Sequence, residues 1–353
     1  MVMASKNTSK AVGIIGAGSF GTAIANILAN NARVIVYARK QDIVDEIKNN
    51  NTSYGQKIDS RVEPTSDLEY LAESCDVIFP IVPSSNFRKM MNQIAPFLHP
   101  YHILIHGTKG LDLSKSDMGQ IFDDDTLLSR NKVNTMSEVI KEESVVVRVG
   151  CLAGPNLAKE LTDEQPAATV VASHFDEVIR EGQRLLRSDR FQVYGSRDLV
   201  GVELAGILKN IIAIASGAIS GMGLGENARA LLISRGMVEM IYLGRAFGGN
   251  VQAFLGLAGI GDLIATCSSP LSRNFSVGYR LAKGETLEQI LDSMEEVAEG
   301  INTTRITKKL AEFYNLRAPI TENLHKVLFE GMTVDEALHY LMKYPFNVDI
   351  DFL

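Results

Sequence analysis

Short apolar runs alternate with amphipathic, helix-like stretches through the first half of the chain. Near-continuous apolar strands between helices are typical of a parallel sheet that helices cover on both faces. The pattern therefore predicts an α/β fold with a doubly wound, mostly parallel sheet. The predicted strands are residues 11–15, 33–37, 77–82, 103–106, 145–149, 168–172 and 191–194.

From about Arg197 onward the apolar periodicity is helical almost to the end of the chain. The longest predicted helices are residues 199–220, 227–247 and 300–314. Residues 200–225 are apolar enough to suggest a membrane span, but Glu203, Lys209 and Asn210 interrupt them. We therefore expect a buried helix at this position and no membrane span.

The change of pattern places a domain boundary near Gly195 and Ser196. Residues 1–195 are expected to form the sheet domain, and residues 196–353 an all-α domain that binds the substrate. Residues 112–135 are polar and are predicted to form a solvated insertion between two strands.

The sequence GAGSFG at residues 16–21 directly follows the first predicted strand and begins a helical pattern. In such a turn the first glycine makes the bend, the second lets backbone N–H groups approach a pyrophosphate, and the third lets helix pack on strand. The positive end of the helix then faces the phosphates. This context predicts a Rossmann-type dinucleotide site at Gly16, Gly18 and Gly21, with a purely structural turn as the alternative.

The composition of the chain argues against several kinds of binding partner and against export. A net charge of −7 over 353 residues argues against nucleic acid or an anionic membrane as the main partner. The first ten residues contain no apolar signal segment, so we expect no export. Three cysteines without metal-ligand spacing fit buried thiols in the cytoplasm, and the scattered histidines predict no metal site.

The end of the second predicted strand bears on the choice of cofactor. An NAD site normally carries Asp or Glu there, whereas this chain has Arg39 and Lys40, and its first acid is Asp42. A guanidinium can bind a 2′-phosphate bidentately. The sequence therefore favours NADP and leaves NAD open, with surface charges of no special function as the alternative.

Four polar stretches in apolar surroundings are candidates for the chemistry, and Lys209 stands out because an unpaired ammonium in a buried helix would be costly. The stretches are residues 108–110, 153–160, 209–210, and 259–262 followed by 272–274.

Ordered motifs along nearly the whole chain combine these stretches. They are GAGSFGTA (16–23), IVPS (81–84), TKGL (108–111), GPNLAKEL (154–161), VELAGILKNIIAIASG (202–217), NARALLISRG (227–236), GLAGIGDLIATC (256–267), SRN (272–274), VAEG (297–300) and PITE (319–322). Together they make the chain resemble the NAD(P)-dependent glycerol-3-phosphate dehydrogenases of the soluble bacterial type. The resemblance implies reversible hydride transfer between the nicotinamide C4 and C2 of dihydroxyacetone phosphate. The product, sn-glycerol 3-phosphate, would supply glycerophospholipid synthesis.

The resemblance also implies roles for individual residues. Lys209 would donate and accept the proton, with Lys109 and Asp262 as the other catalytic residues. The implied substrate-binding residues are Lys109, Gly154, Asn156, Lys209, Asp262, Ser272, Arg273 and Asn274. The implied cofactor-binding residues are Gly16, Gly18, Ser19, Phe20, Gly21, Arg39, Lys109, Ala158, Arg273, Val297 and Glu299.

Physical chemistry agrees with these roles. Hydride addition to a ketone leaves an alkoxide, so the site needs an acid whose pKa lies near the working pH. Burial and a second cation such as Lys109 would lower the pKa of Lys209, while Asp262 would limit the drop. The chain departs from the family at Asn156, where Ser or Thr is usual, at Ala298, where Val is commoner, and at the insertion.

Two alternatives remain at this point. Other two-domain hydroxyacid dehydrogenases, such as ketopantoate reductase, share the plan, but their substrates lack a phosphate for Arg273 to bind. A nucleotide-binding sensor without catalysis would not need Lys109, Lys209 and Asp262. A homodimer is left open.

Overall fold

A computed structural model describes residues 10–113, 128–294 and 296–345. Its main element is an eight-stranded sheet in the order β12-β11-β10-β7-β6-β1-β2-β5, parallel except where β10 meets β11. The strands are β1 (Ala11–Ile15), β2 (Val34–Tyr37), β3 (Thr52–Ser53), β4 (Gln56–Lys57), β5 (Val62–Thr65), β6 (Cys75–Pro80), β7 (Ile103–His106), β8 (Asp112–Leu113), β9 (Val133–Asn134), β10 (Arg148–Ala153), β11 (Ala167–Ser173) and β12 (Phe191–Ser196).

Helices cover both faces of the sheet and then form the rest of the described chain. Those of the first half are α1 (Ser19–Leu28), α2 (Gln41–Asn50), α3 (Leu68–Ser74), α4 (Ser84–Ile94), α5 (Met136–Glu143), α6 (Ala158–Thr162) and α7 (Asp176–Leu186). Those of the second half are α8 (Leu199–Gly221), α9 (Glu226–Ala246), α10 (Val251–Leu255), α11 (Asp262–Ser268), α12 (Arg273–Ala282), α13 (Leu287–Ser293), α14 (Glu299–Phe313), α15 (Pro319–Phe329) and α16 (Val334–Lys343). This arrangement confirms the predicted fold class.

One predicted strand was wrong in position. The sequence places a strand at residues 145–149, but β10 runs from Arg148 to Ala153, and Val145 and Val147 are exposed. The true strand includes the small residues Gly150, Cys151 and Ala153, and a Cβ at Gly150 would lie 2.8 Å from a methyl group of Val178 on α7. Close packing of the helix therefore selects small residues that carry little strand propensity.

Helix α8 is the longest helix described and the centre of the helical half. By length and composition it could cross a membrane, but 89% of its apolar window is buried inside the protein. It packs against β10 and β11 at the sheet and against the helices that follow. The prediction of a buried helix at this position is confirmed.

Helices α8 and α12 meet backbone to backbone. A Cβ at Gly278 would lie 1.7 Å from the carbonyl oxygen of Ile214, and one at Gly217 would lie 1.9 Å from that of Phe275. Only glycine allows so close an approach. The contact brings the start of α12 next to the middle of α8, where Lys209 lies.

The polar insertion begins and ends on a short antiparallel pair, because Asp112 in β8 pairs with Asn134 in β9. The side chain of Arg88 on α4 holds Asp112 at 2.7 Å. The interior of the predicted excursion, residues 114–127, lies outside the described residues.

Candidate functional site

The glycine turn has the geometry that a dinucleotide needs. Gly16 has a φ of +119°, and a Cβ there would lie 2.1 Å from the carbonyl oxygen of Ile81. A Cβ at Gly21 would lie 1.9 Å from the carbonyl oxygen of Gly16. At Gly18, by contrast, a Cβ would meet no described atom within 4 Å. The turn is closed at its first and third glycines and open at the second, where a pyrophosphate would approach the start of α1.

A carboxylate connects this turn to α12. Ser19, the first residue of α1, donates its hydroxyl to Glu296 Oε1 at 2.7 Å, and Arg273 lies 3.1 Å from Glu296 Oε2. Arg273 is therefore close to the glycine turn as well as at the start of α12. The ring of Phe20 lies over Gly107, where a Cβ would be 2.9 Å from it.

Glu299 begins α14 and reaches across to the sheet domain. Its carboxylate accepts the backbone N–H of Ser84 at 2.8 Å and also the Ser84 hydroxyl. Burial raises the pKa of Glu299, and the two hydrogen bonds from Ser84 oppose that rise. The neighbouring Val297 is about half exposed.

Arg39 lies at the edge of the sheet that carries the glycine turn. Strands β1 and β2 are parallel neighbours, with Ile15 opposite Tyr37, so Arg39 follows β2 beside Gly16. Arg39 is exposed, and no described carboxylate forms an ion pair with it. Asp42 instead accepts the backbone N–H of Ile43 within α2 at 3.0 Å.

Two lysines from the two halves of the chain meet on one carboxylate. Lys109, in the loop after β7, lies 2.5 Å from Asp262 Oδ2, and Lys209 of α8 lies 3.0 Å from Oδ1. Lys209 also donates to the hydroxyl of Thr266, at 2.5 Å, which in turn donates to Asp262 Oδ1 at 3.1 Å. Lys109 donates to the carbonyl oxygen of Gly154 as well, at 3.2 Å.

An irregular helical turn directly before Asp262 positions this residue at the start of α11. Residues 257–261 form a single π-helical turn, which is a feature frequently found at functional sites. A Cβ at Gly259 in this turn would lie 1.9 Å from the carbonyl oxygen of Phe254, so the turn packs tightly on α10. Asp262 begins α11 directly after it, with its side chain almost fully buried.

The charges of this cluster suit an anionic substrate and a proton transfer. Burial lowers the pKa of Lys209 to about 8, Asp262 opposes the shift, and Lys109 adds to it. With both lysines protonated, two cations share one anion, so the cluster keeps one positive charge. Among the described residues no group of three His, Cys, Asp or Glu is arranged to hold a metal.

The three residues at the start of α12 play different parts in the structure. Ser272 caps the helix, since its hydroxyl accepts the backbone N–H of Phe275 at 3.2 Å. The buried Asn274 donates to Asn210 Oδ1 at 3.0 Å and accepts the backbone N–H of Gly300 at 2.9 Å. Arg273 is the one of the three whose side chain is largely exposed.

Asn156 and Ala158 lie beside β11. The amide of Asn156 is 2.8 Å from the hydroxyl of Thr169. With its oxygen toward Thr169, its nitrogen donates to the carbonyl oxygens of Pro155 and Ala168, each at 3.2 Å. Ala158 starts α6 and packs on the core of the sheet domain. Asn156 therefore forms hydrogen bonds with neighbouring residues of the protein. Its predicted contact with the substrate stays a prediction.

Sequence reasoning missed several polar residues of the site. It gave no role to Ser84 or Thr266, and it passed over Glu296. Ser84 stands in the IVPS motif and Thr266 follows Asp262 by one helical turn, so helix periodicity could have found Thr266. Glu296 carried no signal in the sequence.

Comparisons with known proteins agree along the chain. The sequence profile of the NAD-dependent glycerol-3-phosphate dehydrogenase N-terminus matches residues 11–179, and that of the C-terminus matches residues 198–339. The chain is 41% identical over 345 residues to glycerol-3-phosphate dehydrogenase [NAD(P)+] of Teredinibacter turnerae, covering 96% of each protein. It is 39% identical over 347 residues to the protein of the same name from Pseudomonas paraeruginosa, covering 97% of each.

Solved structures give the same picture. The glycerol-3-phosphate dehydrogenase of Coxiella burnetii superimposes with a TM-score of 0.85 at 31% identity, over 95% of this chain and 99% of that one. A ketopantoate reductase from Ralstonia eutropha reaches a TM-score of 0.54 at 16% identity, over 93% and 99% of the two chains, which is a likeness of fold alone.

Proposed function

This chain belongs to the NAD-dependent glycerol-3-phosphate dehydrogenase family, whose reaction is the reversible reduction of dihydroxyacetone phosphate to sn-glycerol 3-phosphate, and we propose that it performs this reaction with Lys209 as the proton donor. The observation that carries the proposal is the contact of Lys109 and Lys209 with the two oxygens of Asp262.

The cluster of Lys109, Lys209 and Asp262 has the parts that a ketone reduction needs. The nicotinamide cofactor supplies the hydride. Lys209, with a pKa of about 8, is protonated at neutral pH and can give its proton to the developing alkoxide. Lys109 stabilises negative charge on the same oxygen, and Asp262 orients both ammonium groups. Thr266 restricts the rotation of the Lys209 ammonium by accepting one of its hydrogens.

The phosphate of the substrate is assigned to Arg273. Its guanidinium stands at the start of α12, where the helix dipole also favours an anion. Ser272 and Asn274 hold the helix start in place through their bonds to Phe275, Asn210 and Gly300. We infer that these two side chains act on the substrate mainly by fixing Arg273.

The cofactor is NAD or NADP, and the residues present fit either one. Gly16, Gly18 and Gly21 form the pyrophosphate turn, and Phe20, Ala158, Val297 and Glu299 are proposed to line the remainder of the site. Arg39 supports a preference for NADPH, because the free guanidinium beside the glycine turn can bind a 2′-phosphate.

Arg39→Asp is expected to weaken NADPH binding by about 1.5–3 kcal/mol and to leave NADH binding little changed or improved. The reason is that the ribose of NADH lacks the phosphate and can use the new carboxylate through its 2′-OH. Dissociation constants from nicotinamide fluorescence would check this. Equal losses for the two cofactors, or a wild type that already prefers NADH strongly, would contradict the assignment of Arg39.

The pH dependence of turnover should show the titration of Lys209. Reduction needs its ammonium, so kcat for dihydroxyacetone phosphate should fall as the pH rises through about 8. Oxidation of glycerol 3-phosphate needs the neutral amine, so its kcat should rise through the same pH. Initial rates in both directions between about pH 6 and pH 10 would test this. Profiles that are flat in both directions would remove Lys209 from the titration.

The direct test of the function is absorbance at 340 nm with dihydroxyacetone phosphate, run in parallel with NADH and NADPH. Consumption of reduced cofactor that depends on the substrate is the expected result. Turnover of ketopantoate in its place would favour the related reductases, whose fold is similar. Cofactor binding without turnover of either substrate would favour a nucleotide sensor.

Three further features are proposals. We propose a division between the two domains near residues 195 and 196, at the last residues of β12, shortly before α8 begins at Leu199. The cytoplasm is the proposed location, supported by the three free, buried cysteines Cys75, Cys151 and Cys267. A homodimer is a further proposal, and sedimentation equilibrium would test it.

A further inference from the structure

A buried carboxylate outside the catalytic cluster joins three elements of the fold. Glu203 of α8 is 4% exposed, and its Oε1 accepts His106 Nε2 and the backbone N–H of Ser137, each at 2.9 Å. Its Oε2 accepts the hydroxyls of Thr135 at 3.0 Å and of Ser137 at 2.6 Å. The carboxylate thus ties the end of β7 and the start of α5 to α8.

The hydrogen bonds to Glu203 keep its charge in the protein interior. Burial alone would raise the pKa of Glu203, but the bonds from His106 and Ser137 lower it below its ordinary value. A charge held in this way needs a complete set of partners, which the four donors provide. Cys151 of β10, another titratable group near Glu203, has its pKa raised by burial and by this carboxylate.

His106 and Glu203 precede the two catalytic lysines in sequence. His106 ends β7, and Lys109 follows it three residues later, with Thr108 anchored by its hydroxyl to the carbonyl oxygen of Val82 at 2.7 Å. Glu203 lies six residues before Lys209 on the same helix, a rise of about 9 Å. The bond between His106 and Glu203 therefore fixes the strand that leads into the loop of Lys109 against the helix that carries Lys209.

A face of α8 continues this contact toward the catalytic cluster. Glu203, Gly206 and Asn210 lie at helical spacing on it. A Cβ at Gly206 would be 3.7 Å from Cγ and Cδ of Lys109, so the aliphatic part of Lys109 lies over this glycine. The amide of Asn210 is within 3.5 Å of the carbonyl oxygen of Lys109. Lys109 is consequently in contact with α8 along its length before it reaches Asp262.

Stability alone is a poor explanation for this pair. Nδ1 of His106 is buried and has no hydrogen-bond partner among the described residues, which is costly. Apolar residues of similar volume often replace buried charged groups without loss of stability, whereas a hydrogen-bonded pair fixes a relative position. The site gains a fixed distance between the loop of Lys109 and α8.

We propose that Glu203, through its bond to His106, is a positioning residue that holds Lys109 at Asp262 and so maintains the charge environment of Lys209. The proposal rests on the proposed catalytic role of Lys209. Its physical consequence can nevertheless be measured without substrate. Lys109 lowers the pKa of Lys209, so a displaced Lys109 should let that pKa rise.

The chain offers a matched control in Glu239. This glutamate is also buried in a helix, α9, and it accepts the backbone N–H groups of Ile320 at 2.8 Å and Thr321 at 2.9 Å and the Thr321 hydroxyl at 2.6 Å. Burial raises the pKa of Glu239 to about 7. It supports the start of α15 and contacts none of the residues proposed for catalysis. Glu239→Gln should reduce thermal stability without affecting Lys209.

The experiment compares wild type with Glu203→Gln, Glu203→Asp and Glu239→Gln. The pKa of Lys209 is followed by NMR of protein carrying lysine labelled with ¹³C at Cε, the signal being assigned with Lys209→Arg. The titratable groups that face Lys209 are Asp262, Lys109 and the thiol of Cys267, and none of the compared substitutions removes them. Glu203→Asp keeps the charge and withdraws the carboxylate by one methylene, so it also tests the proposal if Glu203→Gln does not fold.

We expect both Glu203 variants to raise the pKa of Lys209 by about 0.5 or more, and Glu239→Gln to leave it unchanged. Loss of a negative charge by itself would lower the pKa of a nearby lysine, so a rise in Glu203→Gln reports the displacement of Lys109. The high-pH limb of kcat for dihydroxyacetone phosphate should move in the same direction. A wild type without turnover would refute the proposed function, whereas the NMR measurement would still decide the role of Glu203. An unchanged or lower pKa in the Glu203 variants, or an equal rise in Glu239→Gln, would overturn the positioning role.

Discussion

Lys209→Met is expected to lower kcat for dihydroxyacetone phosphate by at least about 100-fold, the usual scale of general acid catalysis. Methionine fills the space of the aliphatic chain but has no proton to give. The loss should fall mainly on kcat, because the role proposed for Lys209 is to protonate the alkoxide that forms during the reaction. Steady-state kinetics and nicotinamide fluorescence would measure turnover and cofactor affinity separately, and we expect cofactor affinity to stay near that of wild type.

The matched control is Lys309→Met. Lys309 is another buried lysine of the helical half, ten residues along α14 from Glu299. It has no role in the proposed chemistry, so this variant should keep turnover within a few-fold of wild type even if it is less stable. Near-normal turnover of Lys209→Met would show that another group supplies the proton, and the contact with Asp262 would then be structural.

Arg273→Ala is expected to reduce kcat/KM for dihydroxyacetone phosphate by about 3 kcal/mol or more, the scale for truncating one partner of a charge pair that bound substrate would bury. A dianionic phosphate at the start of α12 needs a fixed cation, and Arg273, the first residue of that helix, is the residue proposed to provide it. Because Glu296 links Arg273 to Ser19 at the glycine turn, some loss of cofactor affinity is also expected and must be measured by itself.

Unphosphorylated dihydroxyacetone makes the test of Arg273 specific. It cannot reach the guanidinium, so wild type and Arg273→Ala should reduce it almost equally poorly. Arg280→Ala on the same helix is the control, because Arg280 pairs with Glu285 at the far end of α12. If Arg273→Ala lost as much activity on dihydroxyacetone as on its phosphate, Arg273 would serve the cofactor or the fold instead of the phosphate.

Some strands could be predicted at their exact positions because their apolar runs end at a glycine. This holds for β1, which ends before Gly16, and for β7, which ends before Gly107. Strand β5 was missed because it is short, lies at the edge of the sheet and contains Pro64, a residue that edge strands tolerate. Strand β10 was misplaced because it contains small residues, such as Gly150, that close packing against α7 requires and that give little strand signal.

The site could be predicted only in part, for a related reason. Lys209 and Asp262 stood out because charged residues in apolar surroundings need partners. Pairs such as Ser84 with Glu299 or His106 with Glu203 are far apart in the chain, by 215 and 97 residues, and each member has an ordinary local sequence. Only the packing of the helical half against the strand ends brings such residues into contact, and periodicity within one element does not contain that information.

The glycine contact between α8 and α12 makes the geometry of the site depend less on core packing than the stability of the fold does. Since backbone contacts at Gly217 and Gly278 set the closest approach of these helices, side chains of the helical half that do not line the contact can change without moving Asn274 away from Asn210. Core substitutions there should therefore cost thermal tolerance while leaving the specificity constant nearly intact. The helical half can thus accumulate sequence change away from this contact while the site keeps its geometry.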